Sequence, residues 1–371
     1  MRNSILVFIG LLSLFAVVAL PQQSGQNLTW AYPVPDKNPP PAGDAKEVKR
    51  LPGSTKSYTQ AQIDDQLNPP DWFPQEHASL PDIVEHGFQV QACGSCHLMS
   101  GQGHPESAML AGLPVAYMLR QMNDFKTGAR KDPMVYDPSQ RSARMNGIAK
   151  GLSEEDTRKA VEFFAALKPA VWYKVEEAQT VPKTWINGGR MRFALPGGAT
   201  EPLGNRIITV PQDPVRVESR DPHSGFIAYV PKGSIKKGET LVKTGGSGKT
   251  IACEICHGEG LKGLGDIPRL AGIHPIYIVR QLYNFQSGAN SSSAGAQMKK
   301  VAEKLTEDDM IAIAAYAASL AIEEIKKLQS APPTDLELQT SKGGFIDRFP
   351  RLFSTKAQTA SIFAQEEFTG R

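Results

Sequence analysis

The stretch Cys93-Gly-Ser-Cys96-His97 returns at an offset of 160 positions as Cys253-Glu-Ile-Cys256-His257. The chain has 371 residues and only 4 cysteines, so these two stretches contain all of them. Four cysteines in an exported protein would ordinarily predict two disulfide bonds. Here a His directly follows each Cys-x-x-Cys pair, although the chain holds only 7 His residues. Chance rarely places two His residues in this way, which argues against a disulfide framework.

Cys-x-x-Cys-His is the attachment motif of a c-type haem. Its two thiols form thioether bonds with the porphyrin vinyl groups, and the His lies under the iron as its proximal ligand. A zinc site would need the Cys pairs about fifteen to twenty residues apart, and a redox dithiol would need a thioredoxin-like βαβ context. Neither condition holds around these pairs. The sequence therefore predicts two covalently bound haem c groups, attached through Cys93, Cys96, Cys253 and Cys256, with His97 and His257 as iron ligands.

An internal repeat surrounds the two motifs. The segment from Cys93 to Ala129 aligns without a gap on the segment from Cys253 to Ala289. Further on the offset falls from 160 to 153, so the first copy has seven more residues than the second. The repeat predicts two units with one fold. Outside the motifs, the identical pairs are Gly103/Gly263, Leu110/Leu270, Ala111/Ala271, Gly112/Gly272, Tyr117/Tyr277, Arg120/Arg280, Gln121/Gln281, Phe125/Phe285 and Gly128/Gly288.

Both copies predict small, mostly helical units. One helix is expected over Val115 to Phe125, and its counterpart over Ile276 to Phe285. Ser153 and Thr306, each with an Asp three residues later, resemble capping boxes that open a further helix in each copy. Apolar residues then recur at spacings of three and four, as a buried helix face requires. They are Ala160, Phe163, Phe164 and Leu167 in the first copy and Ile313, Tyr316, Ala317 and Leu320 in the second.

The sixth ligand decides whether each iron is closed for electron transfer or open for catalysis, and Met or His is usual. Met145 and Met298 are the only methionines that align in the repeat, and each precedes a predicted helix. A single Met most often fills a core, yet both of these have polar neighbours in the sequence. Met134, among the extra residues of the first copy, is the alternative there. We predict Met145 and Met298 as ligands and expect no catalytic residues.

The composition changes along the chain outside the repeat. Residues 1–20 form an apolar run after one Arg, typical of an export signal or, if uncleaved, of a membrane anchor. Residues 21–84 are Pro-rich and predict an arm with one short helix near Tyr58 to Gln66. We place the first unit at 85–170, the second at 240–328 and a C-terminal extension at 329–371. Between the units, 171–239 predicts a β-rich insertion with strands at 206–210, 215–217 and 226–230.

The charge balance predicts no nucleic-acid partner, because the formal net charge is only +3 and no basic stripe with interleaved aromatics is present. A local cluster of Arg130, Lys131, Arg141 and Arg144 precedes Met145. It either steers an acidic redox partner to the first haem or forms an ordinary solvated surface. Two further pairs recur on a helix face, Tyr117/Tyr277 and Arg120/Arg280. Either the tyrosines pack in the core and the arginines face solvent, or these residues contact the haems and their propionates.

The order of these motifs resembles the two-haem class I cytochromes c of the cytochrome c4 family. Leu-Ala-Gly follows each haem motif, and then come Tyr-x-x-x-Gln-[Leu/Met]-x-x-Phe-x-x-Gly-Ala and Met-x-x-[Ile/Val]-Ala-x-x-Leu-[Ser/Thr], over about 85–168 and 240–328. The resemblance implies electron transfer in the bacterial periplasm, with His97/Met145 and His257/Met298 as ligand pairs. In class I domains a proline carbonyl supports the proximal His. Pro268 fits that place, whereas Ala108 stands in the first unit.

The expected fold is mainly α, with two class I cytochrome c-like helical domains, a β-rich insertion between them and a Pro-rich N-terminal arm. The predicted function is that of a periplasmic dihaem cytochrome, not an enzyme, that transfers single electrons between protein redox partners. One alternative is a cytochrome subunit of a membrane-associated dehydrogenase or oxidase complex. Another is a dihaem enzyme such as a peroxidase, which the sequence favours less because the haems use all four cysteines and leave none as an iron ligand.

Overall fold

The computed structural model describes residues 28–41, 43–87, 91–133 and 141–320. The predicted export signal or anchor at 1–20, the C-terminal extension at 329–371 and the alternative ligand Met134 lie outside these ranges. Within them, no helix combines the length and the apolar character that crossing a bilayer requires.

Four groups of elements follow one another along the chain. The arm contains β1 (Val48–Arg50), β2 (Ser57–Thr59), α1 (Gln60–Asp64) and α2 (Asp82–Glu85). The first unit contains α3 (Cys93–His97), α4 (Val115–Thr127), α5 (Arg141–Gly151) and α6 (Glu154–Ala166). The insertion contains β3 (Tyr173–Ala178), β4 (Thr180–Pro182), β5 (Thr184–Ile186), β6 (Arg192–Ala194), β7 (Thr200–Pro202), β8 (Ile208–Pro211), α7 (Pro214–Glu218) and β9 (Phe226–Pro231). The second unit contains α8 (Ser234–Gly248), α9 (Glu254–His257), α10 (Pro275–Ser287), α11 (Ser293–Ala302) and α12 (Glu307–Ser319).

The helices of the two units correspond in order and length. Helices α4 and α10 have 13 residues each, as do α6 and α12. The Ser153 hydroxyl accepts a hydrogen bond from the Asp156 N–H at the start of α6, and Thr306 and Asp309 form a reciprocal capping box at the start of α12. These caps satisfy backbone donors that a helix start leaves unpaired. The predicted helices therefore begin at the residues that the sequence indicates.

Helices α5 and α11 were not expected from the sequence. Their small and polar residues form no apolar stripe, which is the signal from which a helix is recognised. Met145 lies inside α5 and Met298 inside α11, so both precede the next helix, as predicted, but are themselves helical. The Ser292 hydroxyl caps α11 by accepting a hydrogen bond from the Gly295 N–H.

The insertion forms a three-stranded sheet in the order β3-β9-β8, with β3 parallel and β8 antiparallel to β9. Two small antiparallel pairs, β4-β7 and β5-β6, extend from it. The predicted strand at 215–217 is wrong, because these residues belong to α7. Asp213 accepts a hydrogen bond from the Arg216 N–H and Pro214 occupies the first turn, and this start signal outweighs the β propensity of the two valines.

The arm and the insertion pack into the body of the protein. Trp30, Tyr32 and Phe226 join the large core around α10 and α12. Helix α12 is buried along most of its length because α8, α10 and β3 surround it. Because α8 spans the predicted boundary at 239/240, the insertion continues into the second unit without a linker. Residues of the arm and the insertion thus share the core of the second unit, and Ile83 and Val84 of α2 join the core of the first unit.

Candidate haem sites

Each Cys-x-x-Cys-His motif forms a single helical turn, α3 in the first unit and α9 with the preceding Cys253 in the second. The turn places both thiols and the His of each motif at the wall of one cavity. Burial raises the pKa of the Cys93 and Cys253 thiols to about 12. Redox-active cysteines and thiolate metal ligands need the opposite shift. The raised pKa keeps Cys93 and Cys253 protonated, which disfavours the thiolate chemistry of dithiol exchange.

The two His rings are held in the same way. His97 Nδ1 donates to the carbonyl oxygen of Ala108, and His257 Nδ1 donates to that of Pro268, both at 2.8 Å. With the proton on Nδ1, the Nε2 lone pair is free for a metal. Burial lowers the pKa of both imidazoles, which keeps them neutral. Because the acceptor is a backbone carbonyl, Ala108 holds its His as Pro268 does, although it departs from the family pattern.

Gly103 gives the loop after His97 its tight shape. Its φ is +65°, and a Cβ atom there would stand 2.6 Å from the Ser107 carbonyl oxygen and 2.7 Å from that of Ala108. Its N–H donates to the His97 carbonyl oxygen at 2.9 Å. The glycine thus lets the chain fold back so that the Ala108 carbonyl reaches the imidazole.

One cavity of about 2360 Å³ connects the two motifs. A pocket for a single small ligand usually measures about 300–1,000 Å³, so this cavity has room for two large cofactors. Its walls are largely apolar, with Leu110, Leu113 and Phe164 in the first unit and Leu270, Ile278 and Leu305 in the second. Covalent anchors, neutral imidazoles and apolar walls fit haem c in both units.

Met145 and Met298 both line this cavity and are half-buried. The Asn146 side chain holds α5 against the end of α4 by donating to the carbonyl oxygens of Phe125 (2.6 Å) and Arg130 (3.1 Å). Met109, Met118, Met122 and Met191 also line the cavity but have no counterpart in the repeat. Axial ligation by Met145 and Met298 stays a prediction that their placement supports.

Contacts between the units come in reciprocal pairs. Arg280 Nη1 lies 2.6 Å from Glu106 Oε2, and Arg120 Nη1 lies 3.4 Å from Asp266 Oδ2. The Lys131 N–H donates to the Ala289 carbonyl oxygen at 3.2 Å, and the Ser291 N–H donates to that of Ala129 at 2.8 Å. Every residue in one contact corresponds to one in the other at the offset of 160. The two units therefore face each other about an approximate two-fold axis.

Arg130 belongs to this contact and not to a solvated loop. It is buried, and its guanidinium donates to Gln121 (2.6 Å), to the Tyr277 hydroxyl (2.7 Å) and to Gln281 (3.0 Å). The suggestion that Arg130 steers a partner is wrong for this reason. Sequence reasoning also missed Glu106, although Glu106 and Asp266 are both acidic at the repeat offset, a signal that could have revealed the paired contacts.

A zinc-type site finds no support in the structure. Among residues 28–41, 43–87, 91–133 and 141–320, no group of three or more His, Cys, Asp or Glu side chains could hold a metal ion. His274 is fully buried and packs edge-on against Tyr173 with ring centroids 5.1 Å apart.

Comparisons with known proteins agree with the motif order. A cytochrome c4 from Azotobacter vinelandii is 28% identical over 238 residues, which cover 62% of this chain and 86% of the relative. A thiosulfate dehydrogenase electron acceptor from Thiomonas intermedia is 25% identical, covering 62% of this chain and 79% of the relative. The solved cytochrome c4 of Acidithiobacillus ferrooxidans aligns with a TM-score of 0.41 at 23% identity, covering 62% of this chain and 98% of that one. No protein-family profile matches.

The resemblance to the cytochromes c4 is thereby confirmed, since the chain is similar to them in sequence over 62% of its length. The prediction of two covalently bound haem c groups is confirmed with it, because the cytochromes c4 are two-haem proteins. The structural overlap, with a TM-score of 0.41, is too weak to add to this argument.

Proposed function

We propose that this relative of the cytochromes c4 carries single electrons between protein partners in the periplasm, through two haems that each have a His and a Met ligand. One observation carries the proposal: both attachment turns and the two repeat-matched methionines line the same cavity. Two haems in one cavity are close enough to exchange electrons directly, through the interior of the protein. The apolar run at 1–20 supports export.

The residues of the chain then have distinct tasks. When bound, the iron porphyrin supplies a one-electron couple whose potential Met ligation raises. His97 and His257 would hold the iron through their neutral Nε2 atoms, and the sulfur atoms of Met145 and Met298 would serve as the second ligands, which would leave the iron no open position for a substrate. Buried Arg130 and Arg280 also line the cavity, where their guanidinium groups donate hydrogen bonds to Gln121 and Glu106 of the protein itself.

Met145→Ala and Met298→Ala test the ligation. Each single variant should halve the charge-transfer band that Met-ligated ferric haem shows at the red edge of the visible spectrum, and the double variant should abolish it. Met191→Ala is the control, because Met191 lines the cavity without a counterpart in the repeat. A wild-type protein with high-spin iron at rest would contradict electron transfer and favour a dihaem enzyme.

A more specific role follows from the relative in Thiomonas intermedia, which is named as an electron acceptor of thiosulfate dehydrogenase. We further propose that the electron donor of this protein is a thiosulfate dehydrogenase, which acts as a separate protein. The test is reduction of the purified oxidised holoprotein by a thiosulfate dehydrogenase and thiosulfate. Absence of reduction by the enzyme, while dithionite reduces both haems, would exclude this donor and leave the carrier function intact.

A further inference from the structure

The two attachment turns differ in how far their outer sides are covered. Ser95 is 6% exposed, whereas its counterpart Ile255 is 43% exposed. Two residues before the motif, Gln91 is half-buried and its counterpart Ile251 is 48% exposed. Cys96 is half-buried and Cys256 is exposed. The two turns have the same local fold, but the outer side of the first, at Gln91 and Ser95, is covered. The outer side of the second, at Ile251 and Ile255, is exposed, and we call it the open edge.

The arm and the insertion cause this difference, because both pack against the first turn. Arg220, from the insertion, donates through Nη1 to the Ser95 carbonyl oxygen at 2.6 Å. From the arm, the Gln66 carbonyl oxygen accepts a hydrogen bond from the Ala92 N–H at 3.0 Å.

Trp72 links the two covering segments, since its Nε1 donates to the Ser219 carbonyl oxygen at 2.7 Å. In the part of the chain that the structure describes, neither segment forms a hydrogen bond with residues 251–256. The cover is therefore specific to the first turn.

We propose that electrons enter and leave this protein at the second attachment turn, while the first haem exchanges electrons only with the second. This inference rests on the proposed function. Electron transfer between proteins slows steeply with distance, so it takes place where a partner can approach a haem most closely. In the holoprotein Cys256 is bonded to the porphyrin, and a protein that contacts Cys256 lies against the haem edge. At Cys96 the insertion and the arm keep such a protein away.

The chemistry of the open edge indicates its partner. Ile251 and Ile255 give the contact an apolar centre, whereas the covered turn has Gln91 and Ser95 at the same places. The Thr250 hydroxyl donates to the Val301 carbonyl oxygen at 2.6 Å, which ties this edge to the end of α11.

Lys299, Lys300 and Lys304 are exposed at that end of α11, where Glu303 offsets one of their charges, and the turn itself carries the half-buried Glu254. The edge therefore suits a redox protein whose own cofactor lies behind an apolar patch with an acidic rim.

A gold electrode coated with mixed carboxylate- and methyl-terminated alkanethiols serves as the probe for this surface. The double variant Ile251→Ser/Ile255→Ser should lower the electron exchange rate of the holoprotein by about tenfold, and Lys299→Glu/Lys300→Glu/Lys304→Glu should lower it by about tenfold or more and remove its salt dependence. Val215→Ser, at a residue of the insertion that is 60% exposed, is the matched control and should exchange electrons at the wild-type rate.

Two results would contradict this inference. Unchanged rates in both sets of variants, or a loss on Arg144→Glu in the first unit instead, would place the exchange point at the first haem and overturn the inference. Haem content and the Met–iron band are measured on every variant, so failure of the proposed function shows as missing haem or high-spin iron in the wild type. If the Ile variants lose haem, Lys300→Glu alone decides the question, because its side chain is on the surface.

Discussion

Glu106→Gln removes the carboxylate that the first unit presents to Arg280 of the second. Arg280 Nη1 and Glu106 Oε2 lie 2.6 Å apart, and the two side chains are only 5% and 6% exposed. Removing one partner of a buried ion pair leaves the other charge uncompensated, which costs about 3–5 kcal/mol. Arg280 keeps its hydrogen bonds to the carbonyl oxygens of Ala31 and Pro105. We therefore expect Glu106→Gln to lower the free energy of unfolding by an amount at the lower end of this range, about 3 kcal/mol.

The equivalent pair across the approximate two-fold axis supplies the control. Arg120 Nη1 and Asp266 Oδ2 lie 3.4 Å apart, with side chains that are 45% and 57% exposed. Solvent screens such a pair, so it contributes about 0–1 kcal/mol. Asp266→Asn should therefore leave the free energy of unfolding nearly unchanged, although it removes the same kind of charge from the same place in the repeat.

Thermal unfolding of the oxidised holoprotein, followed by circular dichroism, measures both variants. At about 2–4 °C per kcal/mol for domains of 150–250 residues, Glu106→Gln should lower Tm by about 6–12 °C and Asp266→Asn by at most about 4 °C. Equal losses in the two variants, or a loss below about 1 kcal/mol for Glu106→Gln, would refute the buried bond between the units.

Three further variants test other parts of the structure. Arg220→Gln removes a positive charge that hydrogen-bonds to the first attachment turn. Two unit charges about 10 Å apart at an effective dielectric constant of about 20 interact by about 1.7 kcal/mol, so a redox titration should show the first haem's potential lowered by up to about 70 mV. An unchanged potential would contradict this. Burial raises the pKa of Asp309, but hydrogen bonds from Lys249, Thr306 and Lys237 outweigh it and hold the pKa well below its ordinary value. The stability that Asp309 contributes is therefore full above about pH 4 and is lost as the pH falls further, so Asp309→Asn should flatten the fall of Tm in acid, and an unaltered acid profile would argue against it. Ala108→Pro keeps the carbonyl oxygen that accepts a hydrogen bond from His97, so the haem content of this variant should match that of the wild type. A reduced haem content would contradict the view that the backbone carbonyl alone orients His97.

The features that the sequence predicts are those whose causes lie within a few residues. The thiols and the His of each motif share one turn, so their spacing alone indicates the site. Ser153 and Thr306 cap helices that begin at the next residue. Met145 and Met298 are instead singled out by alignment of the repeat, and their role as iron ligands stays a prediction. For the haem motifs and the helix caps, a local pattern is the physical cause of the structure that it predicts.

What the sequence does not predict depends on residues far apart in the chain. Arg130 looks like part of a solvated basic cluster because its neighbours Lys131 and Arg144 are charged, yet the second unit buries it. Helix α5 has no apolar stripe and is held by the Asn146 side chain against α4. Similarly, nothing near Ser95 in the sequence indicates that Arg220, 125 positions away, covers it.

The insertion turns a symmetric pair of units into an unequal one. A two-fold contact treats both units alike, so any difference between the haems must arise outside the repeat or at residues where its copies differ. Arg220 places a positive charge and a cover at the first haem, and both favour the ferrous state, which carries less positive charge. In the second turn Glu254 stands where the first has Gly94, and a carboxylate there favours the ferric state. We therefore expect the first haem to have the higher potential, so that an electron received at the open second haem moves downhill to the covered one. Arg220→Gln should reduce this difference, and a first haem with the lower potential in the wild type would show that the insertion does not set the direction.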